Sequence, residues 1–275
     1  MSLKNLFSSI QFRAYSTFFL IFTVLLCLTI PCVNSQNKKI KISPKRILFV
    51  GNSYTFFENM PNIVTAMAEK KGISLTIHTS TAGGATLENH WKDERNLTTV
   101  QMIGTGDYDA VVLQDQSLRP ILEPEKTLRD IELFCAHIRK SGAIPYLFLT
   151  WSREKSPQTQ EELNKTFFQA ARMNDVRVVP VGIAWKLARK LRPDIQLYIQ
   201  DGSHPSKLGA YLSACLFFAI LTGESPEGLT NAPMTTDKSR EAIMLMRINQ
   251  QDAAFCQRVA TQAINMYLSE QEHLH

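Results

Sequence analysis

Residues 47–54 read Ile-Leu-Phe-Val-Gly-Asn-Ser-Tyr, four apolar residues that run into a glycine and a serine. Short apolar runs of this kind recur along the chain and alternate with segments of helical periodicity. Such runs are typical of strands buried on both faces, and their alternation with helices favours a parallel sheet between two helical layers. We therefore predict a three-layer α/β/α fold. The strands are predicted at residues 47–50, 73–78, 110–113, 144–149 and 176–181.

Amphipathic segments lie between the predicted strands and follow the last of them. A loop with Pro and Gly residues, 223–233, separates the final two segments. The last segment carries apolar residues at helical spacing, and we expect it to pack back onto the domain rather than to bind a partner. The helices are predicted at residues 62–71, 87–102, 125–141, 158–174, 207–221 and 238–268.

The composition is that of an ordinary globular protein: 275 residues, 44% hydrophobic and 20% charged, with a formal net charge of +5. This excludes collagen-like, low-complexity and wholly disordered chains. No Pro/Gly/Ser-rich or like-charged run in the middle of the chain could act as a linker, so we expect a single core. Lys and Arg are scattered rather than arranged in a stripe, which argues against nucleic acid as a partner.

The N-terminus has the shape of a signal peptide. Lys4 and Arg13 precede an uncharged run over 18–30 that is shorter than the ~20 residues a spanning helix needs. Val33 and Ser35 supply small residues before a cleavage site, which predicts export to the periplasm or beyond. The alternative is an uncleaved segment that anchors the protein in a membrane. The expected boundaries are a signal peptide over 1–35, a polar connector over 36–45 and a single domain over 46–270.

Five cysteines occur in the chain, and Cys27 and Cys32 fall within the predicted signal peptide. The other three, Cys135, Cys215 and Cys256, lie in apolar helical patterns. An odd number cannot all pair internally, and we interpret them as small buried residues rather than as a metal or redox site.

Candidate catalytic residues stand at the ends of the first predicted strand and of a late loop. Ser53 follows Gly51 where the first strand ends, and ligands of open α/β sheets bind at the carboxyl ends of the strands. A serine becomes a nucleophile when a histidine, oriented by a carboxylate, takes its proton. Asp201 and His204 are three residues apart before a helix and can supply that pair. A plain turn and a helix cap are the alternative interpretations.

Two other loops are expected at the same edge of the sheet. Gly83 and Gly84 follow the second strand, and residues without a Cβ allow a backbone N–H to approach a reacting carbonyl oxygen. Gln114-Asp115-Gln116-Ser117 follows the third strand, and an amide side chain there could donate to an oxyanion. A tight connection and a solvated loop would use the same residues.

Taken in order, these motifs resemble those of the SGNH (GDSL-like) hydrolase superfamily, and the resemblance covers residues 47 to about 221. Gly51-Asn52-Ser53 is similar to the first block, with Asn in place of the usual Asp. Gly84 matches the second block, and Asp201-x-x-His204 matches the last in spacing and order. The third block departs from Gly-x-Asn-Asp, because Gln116 stands where the family has Asn. A bacterial branch of the superfamily looks similar in having Gln-acid-Gln-Ser and Gly-Gly-x-Thr-Leu-x-x-His.

The resemblance implies a doubly wound, flavodoxin-like five-stranded sheet and an esterase that needs neither metal nor cofactor. Ser53 would attack the ester carbonyl, His204 would act as base and acid, and Asp201 would orient His204. The N–H groups of Ser53 and Gly84 and the amide of Gln116 would form the oxyanion hole.

Three further residues are candidates for substrate binding. Trp91 follows the second-block loop and Trp151 follows the fourth strand, so either indole could lie against a sugar ring at the edge of the site. His90 could contact substrate or the Gln116 loop. Packing is the alternative for both tryptophans, and a surface or capping role is the alternative for His90. Trp185 is expected in the core.

Together these patterns predict an exported serine esterase that removes acetyl or another small acyl group from a carbohydrate, so that the expected partner is a glycan ester or another small-molecule ester. A lipid esterase or thioesterase of the same fold is the nearest enzymatic alternative. A catalytically silent carbohydrate-binding envelope protein is the alternative from another class, suggested by the altered third block. The sequence leaves the oligomeric state open.

Overall fold

The computed structural model describes residues 45–272. The predicted signal peptide over 1–35 lies outside the described residues, and so does all of the predicted connector except Lys45. Within the described part, no helix combines the length and apolar character needed to cross a membrane.

The centre of the fold is a five-stranded, all-parallel sheet with the strand order β2-β1-β3-β4-β5. This is the doubly wound order of flavodoxin-like folds, and the prediction of a three-layer α/β/α architecture is confirmed. The chain reverses its winding between β1 and β3, so a crevice opens at their carboxyl ends. The strands are β1 Arg46–Gly51, β2 Thr76–Thr81, β3 Ala110–Leu113, β4 Ile144–Phe148 and β5 Arg177–Val179.

Ten α-helices occur among the described residues. They are α1 Ser53–Phe56, α2 Met60–Lys70, α3 Leu87–Trp91, α4 Thr99–Thr105, α5 Arg119–Leu122, α6 Pro124–Lys140, α7 Gln160–Asn174, α8 Val181–Leu191, α9 Lys207–Thr222 and α10 Gln250–Glu272. Helix α9 packs against α2, α8 and α10, and α6 packs against α3, α4, α5 and α7. These two groups form the helical layers, and α9 is buried along most of its length because it lies beneath α10.

Strands β1 and β3 lie close to their predicted positions because a continuous apolar run buried on both faces is a clear signal. The second strand starts later than predicted, at Thr76 rather than residue 73. The N–H of Ile73 donates to the carbonyl of Ala68 at 2.9 Å, so this residue still closes the end of α2. The last strand ends at Val179, because Val181 already begins α8.

Two helix predictions were wrong. The segment 87–102 is broken by a kink in which Asp93, Arg95 and Asn96 have φ angles of 52°, 60° and 60°, so α3 and α4 are separate helices. The segment predicted as a helix over 238–268 begins instead with the second strand of an antiparallel hairpin, and the helix itself starts at Gln250. The hairpin strands are β6 Met234–Thr236 and β7 Ala242–Met244.

The core lies on both faces of the sheet, and the apolar side chains of β1 and β3 are at most 1% exposed. Trp185 is 1% exposed, which confirms its predicted place in the core. Cys135, Cys215 and Cys256 are buried free thiols, and burial raises the pKa of each. Protonated, desolvated thiols are inert small hydrophobes, in agreement with the sequence interpretation.

Candidate active site

The serine lies where β1 meets a short helix. β1 ends at Gly51, and Ser53 is the first residue of α1. Between them Asn52 caps the helix, since its Oδ1 accepts a hydrogen bond from the Tyr54 N–H at 3.1 Å. This turn places the half-buried Ser53 at the carboxyl edge of the sheet, beside the crevice between β1 and β3.

Asp201 and His204 occupy the turn that leads into α9. The Nδ1 of His204 donates to Oδ2 of Asp201 at 2.6 Å, and the His204 backbone N–H donates to Oδ1 at 2.9 Å. The Nε2 of His204 lies 2.8 Å from the Oγ of Ser53. Because Nδ1 carries its proton toward the carboxylate, the lone pair of Nε2 faces the serine hydroxyl. The three side chains therefore have the arrangement in which a histidine can take the proton of a serine.

The carboxylate of Asp201 is stabilised by its neighbours although it is only partly shielded. Desolvation acts to raise the pKa of Asp201, but hydrogen bonds from the His204 side chain and from the backbone N–H groups of Ser203 and His204 outweigh it and lower the pKa. Asp201 is thus ionised at neutral pH, as a group that must stabilise an imidazolium has to be.

An aromatic stack supports the turn from below. Tyr54 lies parallel to Trp151 at 4.6 Å between ring centroids, and Trp151 lies parallel to Trp185 at 3.9 Å. The Tyr54 hydroxyl is 2.7 Å from the Ser203 Oγ, and the Trp151 Nε1 donates to the Ser203 carbonyl at 3.0 Å. Two rings therefore fix Ser203, the residue directly before His204, to the helix that carries Ser53.

The ring of Phe57 packs against the imidazole of His204. Its centroid lies 4.8 Å from that of His204, with 27° between the planes. Sequence analysis did not select Tyr54, Phe57 or Ser203. Tyr54 and Ser203 had one sequence signal, because each directly neighbours a residue of the Ser53–His204 pair, whereas Phe57 had none.

Three hydrogen bonds hold the segment that carries the serine. The Asn52 N–H donates to Oε1 of Gln114 at 2.8 Å, and the Asn52 Nδ2 donates to the carbonyl of Ala85 at 2.9 Å. The Nε2 of His90 donates to the carbonyl of Gly51 at 2.9 Å. A Cβ on Gly51 would overlap the Gln114 side chain, so only glycine fits this approach. The first, second and third blocks are thus linked at one point of the sheet edge.

His90 is not a substrate-binding residue, and that prediction was wrong. Its side chain is 0% exposed, and it bonds to Gly51 through Nε2 and to the Thr99 hydroxyl through Nδ1 at 2.7 Å. A carbonyl only accepts, so Nε2 carries the proton and Thr99 donates to Nδ1. Burial lowers the pKa of His90 to about 4, against the opposing hydrogen bond to Gly51. His90 is therefore a neutral residue that positions the Gly51 carbonyl.

The two glutamines after β3 differ in role. Gln114 is buried and holds Asn52 through its Oε1. Gln116 is half-buried, and its Oε1 accepts from the backbone N–H groups of Leu118 at 2.8 Å and Arg119 at 3.0 Å. Within residues 45–272 the Nε2 of Gln116 has no hydrogen-bond partner, which leaves it as a donor for a ligand. Gln116 rather than Gln114 thus has the free amide that the sequence analysis assigned to the oxyanion hole.

The glycine loop lies against the start of the serine segment. The N–H of Ala82 donates to the Gly51 carbonyl at 3.3 Å, and Ala85 holds Asn52 as described above. Gly84 is exposed and has a φ of +65°, a conformation that glycine adopts at little cost. No described residue accepts a hydrogen bond from its N–H, so this donor is also available to a ligand.

Asp115 joins the second and third blocks from beneath. It is 1% exposed, and burial acts to raise its pKa while the adjacent guanidinium and the N–H donors act against that rise. Arg119, itself 4% exposed, also donates to Asp130 at 2.6 Å. The Asp115 carboxylate accepts four hydrogen bonds of 2.8–2.9 Å, from the N–H groups of Leu87 and Gln116, the Thr127 hydroxyl and the Arg119 guanidinium.

The tryptophans proposed for substrate binding are packing residues. The side chain of Trp151 is 1% exposed inside the aromatic stack, so the prediction that it contacts a sugar was wrong. Trp91 is half-buried, and its ring packs edge-on against Phe134 and His137 of α6, at 5.1 and 6.0 Å. That is the packing alternative which the sequence left open.

Among residues 45–272, no group of three His, Cys, Asp or Glu side chains is placed to hold a metal ion.

No protein-family model and no curated protein matches the sequence. Many solved structures are similar to the chain. A "putative SGNH hydrolase" from Slackia heliotrinireducens is 25% identical with a TM-score of 0.55, over 65% of this chain and 98% of that one.

Two further structures are similar to the chain in fold. A DUF4886 family protein from Bacteroides uniformis is 19% identical with a TM-score of 0.63, over 80% of this chain and 94% of that one. An acetyl xylan esterase is 12% identical with a TM-score of 0.53, over 64% of this chain and 98% of that one.

Proposed function

Since this chain belongs to the SGNH hydrolase superfamily, we propose that it is a serine esterase in which Ser53, His204 and Asp201 are the catalytic residues. The observation that carries the proposal is the continuous hydrogen-bonded line from the Ser53 hydroxyl through His204 to Asp201, with heavy-atom distances of 2.8 and 2.6 Å. An isolated turn or helix cap gives no reason for a serine to meet a carboxylate-bound histidine from the far end of the chain.

In the proposed reaction, Ser53 Oγ attacks the ester carbonyl carbon while its proton passes to His204 Nε2. The carbonyl π electrons move to oxygen, and the resulting oxyanion takes hydrogen bonds from the N–H groups of Ser53 and Gly84 and from the Gln116 amide. Asp201 stabilises the imidazolium. His204 then protonates the departing alcohol, leaving an acyl-serine. Water, activated by the same histidine, attacks this ester and releases the acid and the free serine.

The substrate we propose is a short-chain ester, acetyl above all, carried by a carbohydrate. The stack of Tyr54, Trp151 and Trp185 fills the space beneath the Ser203–His204 turn, which disfavours a deep channel for a long acyl chain there. The Asp201 and His204 side chains are 41% and 28% exposed, and such an open site suits a bulky alcohol. The sugar part depends on this openness and on the proposed export of the chain.

We further propose that the protein is exported and that residues 1–35 are removed. The support is the sequence pattern of Lys4 and Arg13 before the uncharged run 18–30. Cleavage is tested by N-terminal sequencing of the protein recovered from the cell envelope or medium. A chain that starts at Gln36 agrees with a signal peptide, and an intact N-terminus in the membrane fraction agrees with an anchor.

The esterase is tested by hydrolysis of p-nitrophenyl acetate, butyrate and octanoate by the chain from Gln36 onward. We expect acetate to be the best substrate and Ser53→Ala to abolish turnover. Labelling with a fluorophosphonate reports an activated serine independently of acyl preference, and Ser53→Ala is its matched control. Octanoate as the best substrate would favour a lipid esterase or thioesterase. Absence of both turnover and Ser53-dependent labelling would refute the esterase and favour the binding protein.

A further inference from the structure

Arg95 stands beside the glycine loop of the candidate site. Its Nη1 donates a hydrogen bond to the carbonyl of Gly83, and the same atom lies 3.9 Å from the point where a Cβ on Gly84 would be. The side chain is exposed, so its guanidinium borders both the solvent and the loop whose N–H is proposed to bind the oxyanion. A cation is thereby fixed at the edge of the site by a backbone contact.

The backbone that carries Arg95 is unusual. Arg95 and Asn96 both have a φ of 60°, and Asp93 has a φ of 52°. A non-glycine residue in this left-handed region is strained, and such residues concentrate at ligand sites. Three of them within four residues place the guanidinium at the glycine loop, where a continuous helix over 87–102 would have carried it elsewhere.

The positive charge of Arg95 is not paired with an acidic side chain among the described residues. Among residues 45–272 Arg95 forms no ion pair, and two acidic side chains of the same segment have other partners. Glu88 pairs with Lys92 at 2.6 Å, and Glu94 accepts a hydrogen bond from the Asn89 amide. The Nη1 atom is held by Gly83, which leaves the remaining donors of the guanidinium fork for a ligand.

We propose that Arg95 binds a carboxylate on the alcohol part of the substrate, so that the preferred substrate is an acylated acidic sugar such as a uronate. This inference rests on the proposed function, because it assumes that the ester lies between Ser53 and Gly84. A guanidinium recognises a carboxylate by charge-assisted, paired hydrogen bonds, which a neutral hydroxyl cannot match. Arg95 is then a specificity-determining residue rather than a part of the oxyanion hole.

The test compares two substrates that differ only in charge: acetylated methyl glucuronoside as the free acid and as its neutral carboxamide. Acetate release is measured for both at low ionic strength. We expect kcat/KM for the acid to exceed that for the carboxamide by about fivefold or more, chiefly through KM, and the ratio to fall with added salt. Arg95→Gln should bring the ratio to about one, and Arg95→Lys should keep part of it.

Lys92→Gln is the matched control, since it removes an exposed cation three residues away that Glu88 already pairs, and it should keep the wild-type ratio. A role of Arg95 confined to holding Gly83 would lower both rates equally and leave the ratio unchanged, which overturns the proposal. Mono-p-nitrophenyl succinate carries its anion on the acyl part, and a preference for it over the acetate that Arg95→Gln removes would overturn the assignment to the alcohol.

Binding of the free acid and the carboxamide to Ser53→Ala, followed by calorimetry or NMR, gives a readout that needs no turnover. Tighter binding of the acid that depends on Arg95 supports the inference even if the wild type hydrolyses neither compound, in which case only the esterase proposal fails. Equal binding of the two, together with turnover by the wild type, leaves the esterase standing and refutes the role of Arg95.

Discussion

The Nδ2 atom of Asn52 donates a hydrogen bond of 2.9 Å to the carbonyl oxygen of Ala85. This contact joins the residue before the serine to the residue after Gly84, so the two backbone donors proposed for the oxyanion are held at a fixed separation. Asn52 is 2% exposed, and water cannot take over the contact. The usual Asp of the superfamily would present an acceptor to an acceptor here, which explains why an amide suits this chain.

We predict that Asn52→Asp lowers both stability and activity, although it installs the residue typical of the superfamily. The carboxylate keeps the Oδ1 acceptor for the Tyr54 N–H but loses the donor to Ala85. A buried unsatisfied group costs about 1–3 kcal/mol of unfolding free energy, which denaturant titration measures at pH 7. The defect should shrink as acid protonates the new carboxyl and restores a donor. Wild-type stability in the variant at pH 7 would show that the Ala85 contact contributes little.

Gln116→Glu distinguishes the role of the Gln116 side-chain oxygen, which holds the loop, from that of its NH2 group, which is proposed to donate to the oxyanion. The variant keeps an oxygen for the N–H groups of Leu118 and Arg119, so we expect the loop to fold as before. It replaces the free NH2 with a second oxygen, and the loss of one oxyanion donor lowers kcat by roughly 10²–10³-fold. The measurement is kcat for p-nitrophenyl acetate. A loss below about threefold would place the amide outside the oxyanion hole.

Asp115→Asn tests the buried link between the second and third blocks. The change removes the charge that faces Arg119 and turns an amide toward groups that all donate. Removing one member of a buried ion pair typically costs about 3–5 kcal/mol, and we expect a loss of unfolding free energy of that order. Glu161→Gln, which breaks the exposed pair with Lys186, is the control and should cost less than about 1 kcal/mol. Similar losses for the two variants would contradict a structural role for Asp115.

The sheet was predictable from the sequence because its strands are buried on both faces. The hairpin of β6 and β7 was not, since its strands have three residues each and its apolar side chains are exposed, Ile243 by 45%. The spacing of the apolar residues in β7 matches the helical periodicity of α10. The sequence pattern therefore predicted a helix that begins before Gln250. The break after Trp91 was missed for a related reason: no Pro or Gly marks a kink made by left-handed Asp93 and Arg95.

Ser53, Asp201 and His204 could be selected as triad candidates because residue type, order along the chain and local spacing together indicate that chemistry. Their supports could not, because the supporting contacts join distant segments: Trp151 meets Ser203 across 52 residues, and His90 meets Gly51 across 39. A tryptophan after a strand is compatible both with a sugar platform and with a buried stack. Only the packing of Tyr54 and Trp185 on its two faces decides between them.

The last prediction concerns His90 and acid stability. The unfolded chain binds a proton on this histidine near pH 6.5, whereas in the folded protein the pKa is about 4 because burial disfavours the charged ring. Protons therefore favour the unfolded state. The contribution of His90 to the unfolding free energy is fully present above pH 6.5 and is lost as the pH falls toward 4. One proton contributes a slope of up to about 1.4 kcal/mol per pH unit, so the full loss is about 3 kcal/mol.

His90→Gln should remove this component, so the difference in unfolding free energy between wild type and variant narrows from pH 7 to pH 4. Denaturant titrations at four or five pH values measure it, and taking the difference cancels the carboxylates that both proteins share. His78→Gln is the matched control, because it makes the same substitution at another histidine and leaves the buried His90 in place. His90→Gln should also be less stable than the wild type at pH 7, since the Gly51 carbonyl and the Thr99 hydroxyl lose their shared partner. A difference that stays constant across the pH range would mean that His90 titrates alike in both states, against its place as a buried neutral support of the serine segment.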